Sequence, residues 1–583
     1  MSLALRSNRF FYIALFKNGE EFVDCVSDIP EKIFLSAIYV KLEKISIFQN
    51  KITIYFTLRI CYYSTMKNRT EKNGYALLSV GGDIKRRLLL NVDRLNGEEY
   101  SEKNVYKPVS YEWYGDWEGR ALLAVTSLGK YFEEISERLD ELWSALDKHL
   151  NKDGYFGPPI DGKSVNEQQY AGNSWFLRAL CLKYDITGSE EIKEKIRKAA
   201  HNLFVKSSEE FIKYPIDLNV DEHGGIIGQL NIKYKNWKIS SDSGCLYISL
   251  DGLAEAYRIL KDENILSVAD LLIKMMNETT LGGKNFQCHA FLSGVRGIIK
   301  FGDLLGEKYY VVAERFFDYF VKANLNAVYE GSGTLGKQAP SEGCAVIDSE
   351  MISLRLYLHT GNPKYLELYR KIVENALRVN QRANGGFGCN YFTGATHPYV
   401  EILPEGKEAF WCCTMRGAEG LTDIAENLYS VNGDTVEVLL PSESEASFFD
   451  GKVIIKQKTS YPFTGETKFE IEAERPFKLT AKAFSAYDVY IDGKPYNGEL
   501  LEINGTSSVT LTMNAKFKND KFEDKYRFFS GDLLLCSDGR EELCGNSSKI
   551  TLLPIADFST IPMEMLDNAR KRILFDNPSK IRW

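Results

Sequence analysis

Hydrophobic positions change their spacing twice along the chain. Residues 1 to about 80 favour extended structure, and KISIFQNKITIYFTLRICYY is dense in β-branched and aromatic residues. From DIKRRLLLNVDRL (83–95) the spacing becomes helical. In EEISERLDELWSALDKHL (133–150), Ile135, Leu139, Leu142, Trp143, Leu146 and Leu150 share one helical face, and Asp153-Gly154 is the turn that stops it.

A helical hairpin then recurs in LKYDITGSEEIKEKIRKAAHNLF (182–204), FGDLLGEKYYVVAERFFDYFV (301–321) and YLHTGNPKYLELYRKIVENALRV (357–379). Each copy ends a helix at a glycine (Gly188, Gly306, Gly361), which supplies a left-handed C-cap, and starts another within a few residues. In the third, Asn362 is placed to cap and Pro363 to take the first helical position. YRILKDENILSVADLLIKMM (257–276) is a looser copy without the glycine. Repeated hairpins build a solenoid or a closed toroid, and ten to twelve helices over 83–430 suit an α/α barrel.

After about Asn432 the period shortens again. VEVLLP, KVIIKQKTS, TKFEIEAE, FKLTAKAF, YDVYIDGK, LLEING and SVTLTMNA alternate between turn residues, as in an antiparallel sandwich. YRFFSGDLLLCS adds a short β-segment. The expected divisions are a β-rich segment over 1–82, a helical barrel over 83–432, a sandwich over 433–525 and a β-segment over 526–583. The N-terminal strands are expected to join the C-terminal sandwich, since chain ends often meet.

Composition narrows the function. A chain of 583 residues with 44% hydrophobic and 26% charged positions is globular and multidomain. Its net charge is −8 with no basic tract, which excludes nucleic acid as a partner. The apolar stretch from Ile33 to Tyr63 is broken by Lys41, Glu43, Lys44, Lys51 and Arg59, so it does not read as a membrane helix. The opening residues lack a secretory cleavage pattern. Eleven scattered cysteines argue against a disulfide framework and for a reducing, cytoplasmic compartment. Oligomeric state is open, with a homodimer allowed.

Two motifs carry chemistry. PSEGCAVIDSEM holds Glu342 and Cys344, and AFWCCTMRGAEGLTDIAENLYS holds Cys412 and Cys413. Together they make a Cys₃Glu set suited to tetrahedral zinc. Glu342 and Cys344, two apart, point the same way if extended. Cys412 and Cys413 precede a helix whose positive end favours thiolates. Cys25, Cys61, Cys181, Cys245, Cys389, Cys536 and Cys544 read as small buried hydrophobes.

The order E-x-C, helical hairpin, W-C-C, helix and β-domains resembles glycoside hydrolase family 127 and its relative family 146, which include β-L-arabinofuranosidases. GDWEGRALLAV (115–125), the DGY turn (153–155) and HAFLSGVRGI (289–298) fall in the family's order. The resemblance implies an (α/α)₆ barrel with β-sandwiches in a multidomain α+β chain. It implies zinc held by Glu342, Cys344, Cys412 and Cys413, with Cys412 the nucleophile. Members usually carry Cys-Cys-Pro-Pro-Asn, whereas this chain reads Cys412-Cys413-Thr414-Met415-Arg416-Gly417. The family's acid/base glutamate has no clean match in YEGSGTLGKQAPSEGC, and Glu330 is the nearest candidate. His289 resembles a histidine facing the family's substrate pocket.

Further substrate-binding candidates have plain structural alternatives. Asp116 and Glu118 are placed to face the barrel mouth, or Asp116 to cap its helix. Tyr170 and Trp411 are placed to stack on sugar, or to pack a core. His397 is a candidate pocket residue. The mechanism implied is retaining hydrolysis of an oligosaccharide or glycoside, with a zinc-bound thiolate replacing the nucleophilic carboxylate. Two rivals stand: a metal-free, carboxylate-dependent α/α-barrel glycosidase, and a non-catalytic carbohydrate-binding or structural protein stapled by zinc.

Overall fold

Among the described residues, the twelve α-helices of nine or more residues between Gly82 and Glu426 alternate between an outer and an inner layer. In the computed structural model, the described residues are 2–6, 10–17, 20–26, 74–107, 112–216, 230–240, 243–279, 286–537, 550–576 and 581–582. The outer helices are α1 (Gly82–Leu95), α3 (Ser136–Ala145), α5 (Glu190–Ala199), α7 (Glu263–Glu278), α9 (Glu307–Asn324) and α11 (Pro363–Lys371). The inner ones are α2 (Asp116–Gly129), α4 (Glu167–Thr187), α6 (Ser249–Leu260), α8 (Cys288–Leu305), α10 (Gly343–Thr360) and α12 (Cys413–Glu426). Each inner helix packs on the next, and α12 returns to α2, closing an (α/α)₆ ring. All six inner helices run the same way, because an outer helix carries the chain back each time.

The hairpin signals act as their chemistry dictates. Asn362 accepts from the Lys364 amide with Pro363 at the first helical position, and Ser189 and Asp262 cap α5 and α7. Gly188 and Gly361 end their helices in the left-handed region, at φ 63° and 61°. Gly306 instead takes φ 103°, ψ −166°, a glycine-only conformation between α8 and α9. In the looser copy Lys261 itself adopts φ 52° to close α6.

Beyond α12 two sheets face each other. The larger runs Lys494–Pro495, Tyr487–Ile491, Ser507–Ala515, Glu466–Ala473, Val453–Thr459, Ser444–Phe448 and Tyr75–Val80. That last strand precedes α1, so a segment N-terminal to the barrel completes the C-terminal sandwich, with Ala446 opposite Leu77. The smaller sheet runs Leu501–Ile503, Phe477–Ala481, Thr435–Val438 and Tyr429–Asn432. Here the antiparallel expectation fails at one pair: Thr435–Val438 and Phe477–Ala481 are parallel, because an excursion through the larger sheet separates them.

The hairpin of Phe517–Phe522 and Lys525–Ser530 runs across position 526 and continues into Leu533–Cys536. Lys571–Arg572 pairs with Tyr399–Val400, and Phe529, Leu534, Ile573 and Leu574 share a core with Val328, Val346 and Ile402. The C-terminal segment therefore braces the loops that flank the cysteines. Strands Ser2–Arg6, Phe10–Lys17 and Glu20–Val26 form a separate antiparallel sheet in a unit of their own. The segment 44–63 lies outside the described residues. Among the described residues, no helix is long and apolar enough to cross a membrane.

Candidate metal and thiol centre

Parallel inner helices gather their positive ends at one mouth of the ring. Cys344 is the second residue of α10, Cys413 the first of α12, and Cys412 stands at the cap position just before it without a side-chain capping bond. Glu342 is extended, at φ −127° and ψ 127°, but Cys344 already lies in the first helical turn. The two ligands therefore converge through a helix start and not through a continuous strand. Gly343 sits between them for a steric reason. A Cβ there would come within 2.5 Å of Asn380 Oδ1 and 3.0 Å of Cys413 Cβ.

One ligand atom from each of Glu342, Cys344, Cys412 and Cys413 lies within 4.8 Å of every other. Cys344 Sγ and Cys412 Sγ each lie 3.5 Å from Cys413 Sγ. Zn–S bonds of about 2.3 Å at tetrahedral angles put sulfurs about 3.8 Å apart. Geometry and donor chemistry both fit one soft divalent ion, and the group can hold a metal.

The thiols are built to be held by more than their own helices. Burial pushes the Cys344 thiol up to about 11, and the neighbouring thiols Cys344 and Cys413 push Cys412 well above its ordinary range. Cys344 and Cys413 are buried, while Cys412 is partly exposed. Thr414 donates its hydroxyl to Glu408 at 3.1 Å and accepts from the Phe387 amide at 3.0 Å. Asn91 of α1 donates to the Thr414 carbonyl at 3.1 Å. Gly417 lets Phe387 close on α12, since a Cβ there would lie 2.1 Å from its ring.

The other anticipated residues divide sharply. Asp116 sits at the mouth but accepts from Arg120 Nε at 2.9 Å and leaves the cap position to Gly115. Glu118 accepts from the Gly115 amide at 3.1 Å and lies near Tyr106, on the opposite side of α2. Two residues on a helix are turned by about 200°, so Asp116 and Glu118 cannot both face the mouth. His289 is buried, with Nδ1 2.5 Å from Asp348 Oδ2 and Nε2 3.2 Å from Arg120 Nη2. Both ring nitrogens are committed, which leaves neither for a sugar hydroxyl.

Tyr170 belongs to the core. Its hydroxyl donates to Ser207 Oγ at 2.8 Å and its ring packs on Phe204, Phe211 and Trp237. Glu330 is fully buried and accepts from the amides of Asn326, Asn380 and Asn390 at 3.0, 2.8 and 2.5 Å. Burial raises its carboxyl, with those amides acting against the rise. It ties loops together beneath the mouth. Trp411 is 38% exposed, edge-on to Phe410, which in turn meets Trp117. That leaves an aromatic run beside the accessible thiol. His397, in the Gly394–His397 turn, pairs with Glu401 at 3.3 Å and adjoins Tyr391 and Tyr399.

Of one buried network, the anticipated set includes His289 but not Arg120, Trp175, Arg296, Asp348 or Arg416. Asp348 accepts from Arg296 at 3.0 Å and Arg416 at 2.7 Å as well as from His289. Burial raises its carboxyl, but His289 and the two arginines outweigh that and hold it well below the usual range. Trp175 stacks on His289 with centroids 5.4 Å apart, and Arg120 lies 4.2 Å over its ring. Cys389 contacts Cys413 from the preceding loop. The sequence signals were short: Asp116 to Arg120 and Cys344 to Asp348 are both i,i+4 pairs. At the far end of the ring lies a separate cavity of about 310 Å³. Among the cations that line it, Arg258 pairs with Asp185 and Lys300 with Glu255, and they complement the negative helix ends.

Glu118 supplies a pH prediction. Burial pushes its carboxyl up to about 8, against about 4.3 in an unfolded chain. Its contribution is fully present below about 4.3 and is lost as pH rises through 8. Glu118→Gln is therefore expected to melt above the parent protein at pH 8.5, with the gain vanishing toward pH 4. Thermal melts across that range test it, and a constant difference at all pH values rules it out.

No known family's sequence profile matches the chain, and no curated protein matches it in sequence. Solved structures do match. A family 127 β-arabinofuranosidase superposes with a TM-score of 0.61 at 15% identity, over 80% of this chain and 85% of that one. A family 127 β-L-arabinofuranosidase from Geobacillus stearothermophilus T6 gives 0.56 at 14% identity, over 79% and 86%. A structure described as a glycoside hydrolase gives 0.55 at 14%, over 80% and 82%. This chain thus has the fold of the family 127 β-arabinofuranosidases across about four fifths of its length.

Proposed function

We propose that this protein is a retaining glycoside hydrolase that uses Cys412 as its nucleophile, with a β-L-arabinofuranoside-like substrate. The observation that carries the reading is the convergence of Glu342, Cys344, Cys412 and Cys413 at the barrel mouth, with Cys412 alone among the three thiols partly exposed. The shared fold supports it, because two structures of that fold are named as β-arabinofuranosidases.

A bound zinc would keep the thiolates deprotonated at neutral pH. Glu342, Cys344 and Cys413 would fix the ion, and Cys412 would present sulfur toward the mouth. Attack of that sulfur on the anomeric carbon breaks its bond to the aglycone oxygen, which takes a proton from solvent water as it leaves, and forms a thioglycosyl bond on Cys412. Water then attacks the same carbon and gives its proton to solvent, breaking the carbon–sulfur bond and restoring the thiolate and the anomeric configuration. Trp411 is placed to stack on a sugar ring. Glu330 is enclosed and fully hydrogen-bonded, so it does not serve as the proton donor in this reading.

That enclosure is also what favours the second reading, a carbohydrate-binding protein with a zinc staple. One experiment separates the two. Aryl glycosides, including α- and β-L-arabinofuranosides, are incubated with the protein while zinc is measured on the same sample. Zinc with aglycone release supports the hydrolase. Zinc without release from any glycoside favours the staple, and release without zinc favours a carboxylate mechanism.

A further inference from the structure

We infer that Arg120 is a positioning residue of the thiolate centre, holding Cys344 in place and setting a positive charge against the surplus negative charge of the loaded site. The inference rests on the metal-binding part of the reading above. Three thiolates and one carboxylate around a divalent ion leave two negative charges unbalanced. Burying such a surplus is costly unless fixed positive groups face it. The inner helix ends supply part of that compensation. Arg120 brings a guanidinium nitrogen to one ligand sulfur, that of Cys344, at 3.9 Å.

Its guanidinium is fixed on every side. Nη1 points at Cys344 Sγ at 3.9 Å, Nη2 reaches His289 Nε2 at 3.2 Å, and Nε donates to Asp116 at 2.9 Å. The Trp175 ring covers one face at 4.2 Å. His289 in turn is held by Asp348, and Asp348 by Arg296 and Arg416. Arg120 therefore joins the metal ligands to a rigid network drawn from α2, α8, α10 and α12. Its ion pair with Asp116, at 2.9 Å, compensates the buried guanidinium. Lysine keeps the charge but cannot serve three in-plane partners at once.

A merely structural arginine, paired with Asp116 alone, predicts something different. Its loss would lower the melting temperature as Asp116→Asn does and leave metal binding unchanged. The test measures Zn²⁺ affinity by chelator competition, and the sulfur-to-Co²⁺ charge-transfer band of the cobalt form, in Arg120→Gln, Arg120→Lys and Asp116→Asn. Arg120→Gln is expected to bind Zn²⁺ about ten- to a hundredfold more weakly, the usual effect of removing an outer partner of a ligand. Its Co²⁺ band is expected to move, while Asp116→Asn stays within about threefold of the parent.

Zn²⁺ affinity within about twofold of the parent and an unmoved band in Arg120→Gln overturn the inference. If that variant does not fold, Arg120→Lys decides in its place: weaker binding with a moved band supports the inference, and parental values overturn it. A parent protein that binds no Zn²⁺ overturns it as well. None of these readouts uses hydrolysis. Arginine-dependent Zn²⁺ binding in a protein that cleaves no glycoside sinks the proposed activity and leaves this inference standing.

Discussion

Replacing Cys412 by serine is expected to lower turnover on order of about 10³-fold or more, because the variant removes the attacking atom itself. A serine hydroxyl is a far weaker nucleophile than a thiolate and needs a base to take its proton. His289, a histidine anticipated at the mouth, cannot supply that base, since Asp348 and Arg120 occupy its two nitrogens. Cys412 occupies the N-terminal cap position of α12 and is the partly exposed member of the thiol group, so the sulfur that would meet substrate under the proposed mechanism is the one removed. Turnover is to be measured on whichever glycoside the panel identifies, with zinc content recorded for parent and variant. A sugar-based electrophile resembling that substrate is expected to label Cys412 as a thioether, located by intact mass and peptide mapping. A label on a carboxylate, or parental turnover in the serine variant, gives the mechanism to the carboxylate rival.

The barrel was legible because its hairpins announce themselves locally. A glycine at Gly188 or Gly361, or the Asn362-Pro363 start, fixes a helix end from within a few residues. The Glu342, Cys344, Cys412 and Cys413 group was legible through the resemblance of its E-x-C and W-C-C motifs to a known family, since spacing alone leaves such cysteines readable as small buried hydrophobes. What escaped was orientation. α4 is buried on all sides over its first fifteen residues, so no hydrophobic stripe distinguishes its inner face, and Tyr170 went to the core. Glu118 follows from the helical turn alone, once Asp116 is known to face Arg120. The Arg120–His289–Asp348 network escaped because its members come from three helices, with 169 residues between Arg120 and His289 and 59 between His289 and Asp348. Glu330 looked available by its position in a loop. Three asparagine amides from loops and helix ends on either side of it, Asn326, Asn380 and Asn390, close around it only in the folded chain.

Replacing Cys344 by serine is expected to abolish stoichiometric zinc before it affects anything else. The parent is expected to carry about one zinc per chain, as a four-ligand site requires. Cys344 is buried and touches both Cys413 and Arg120, so its sulfur is the inner wall of the site. The buried thiol of the free site keeps its proton at neutral pH, since burial pushes it up to about 11. Binding must therefore expel protons, up to three from the three thiols, and apparent affinity rises with pH. Calorimetric titration of Zn²⁺ in buffers of different ionisation enthalpy counts those protons, and elemental analysis after dialysis against a chelator gives the stoichiometry. Loss of a ligand that binds only the folded chain also lowers stability, by about 2.7 kcal/mol where free zinc stands at a hundred times its dissociation constant. The buried hydrophobic cluster draws on all twelve barrel helices, so the variant is expected to remain folded with a lower melting temperature, and to lose turnover as a consequence of losing metal. A parent protein that holds no zinc, or a Cys344→Ser variant that keeps one equivalent through dialysis, removes the metal from this site.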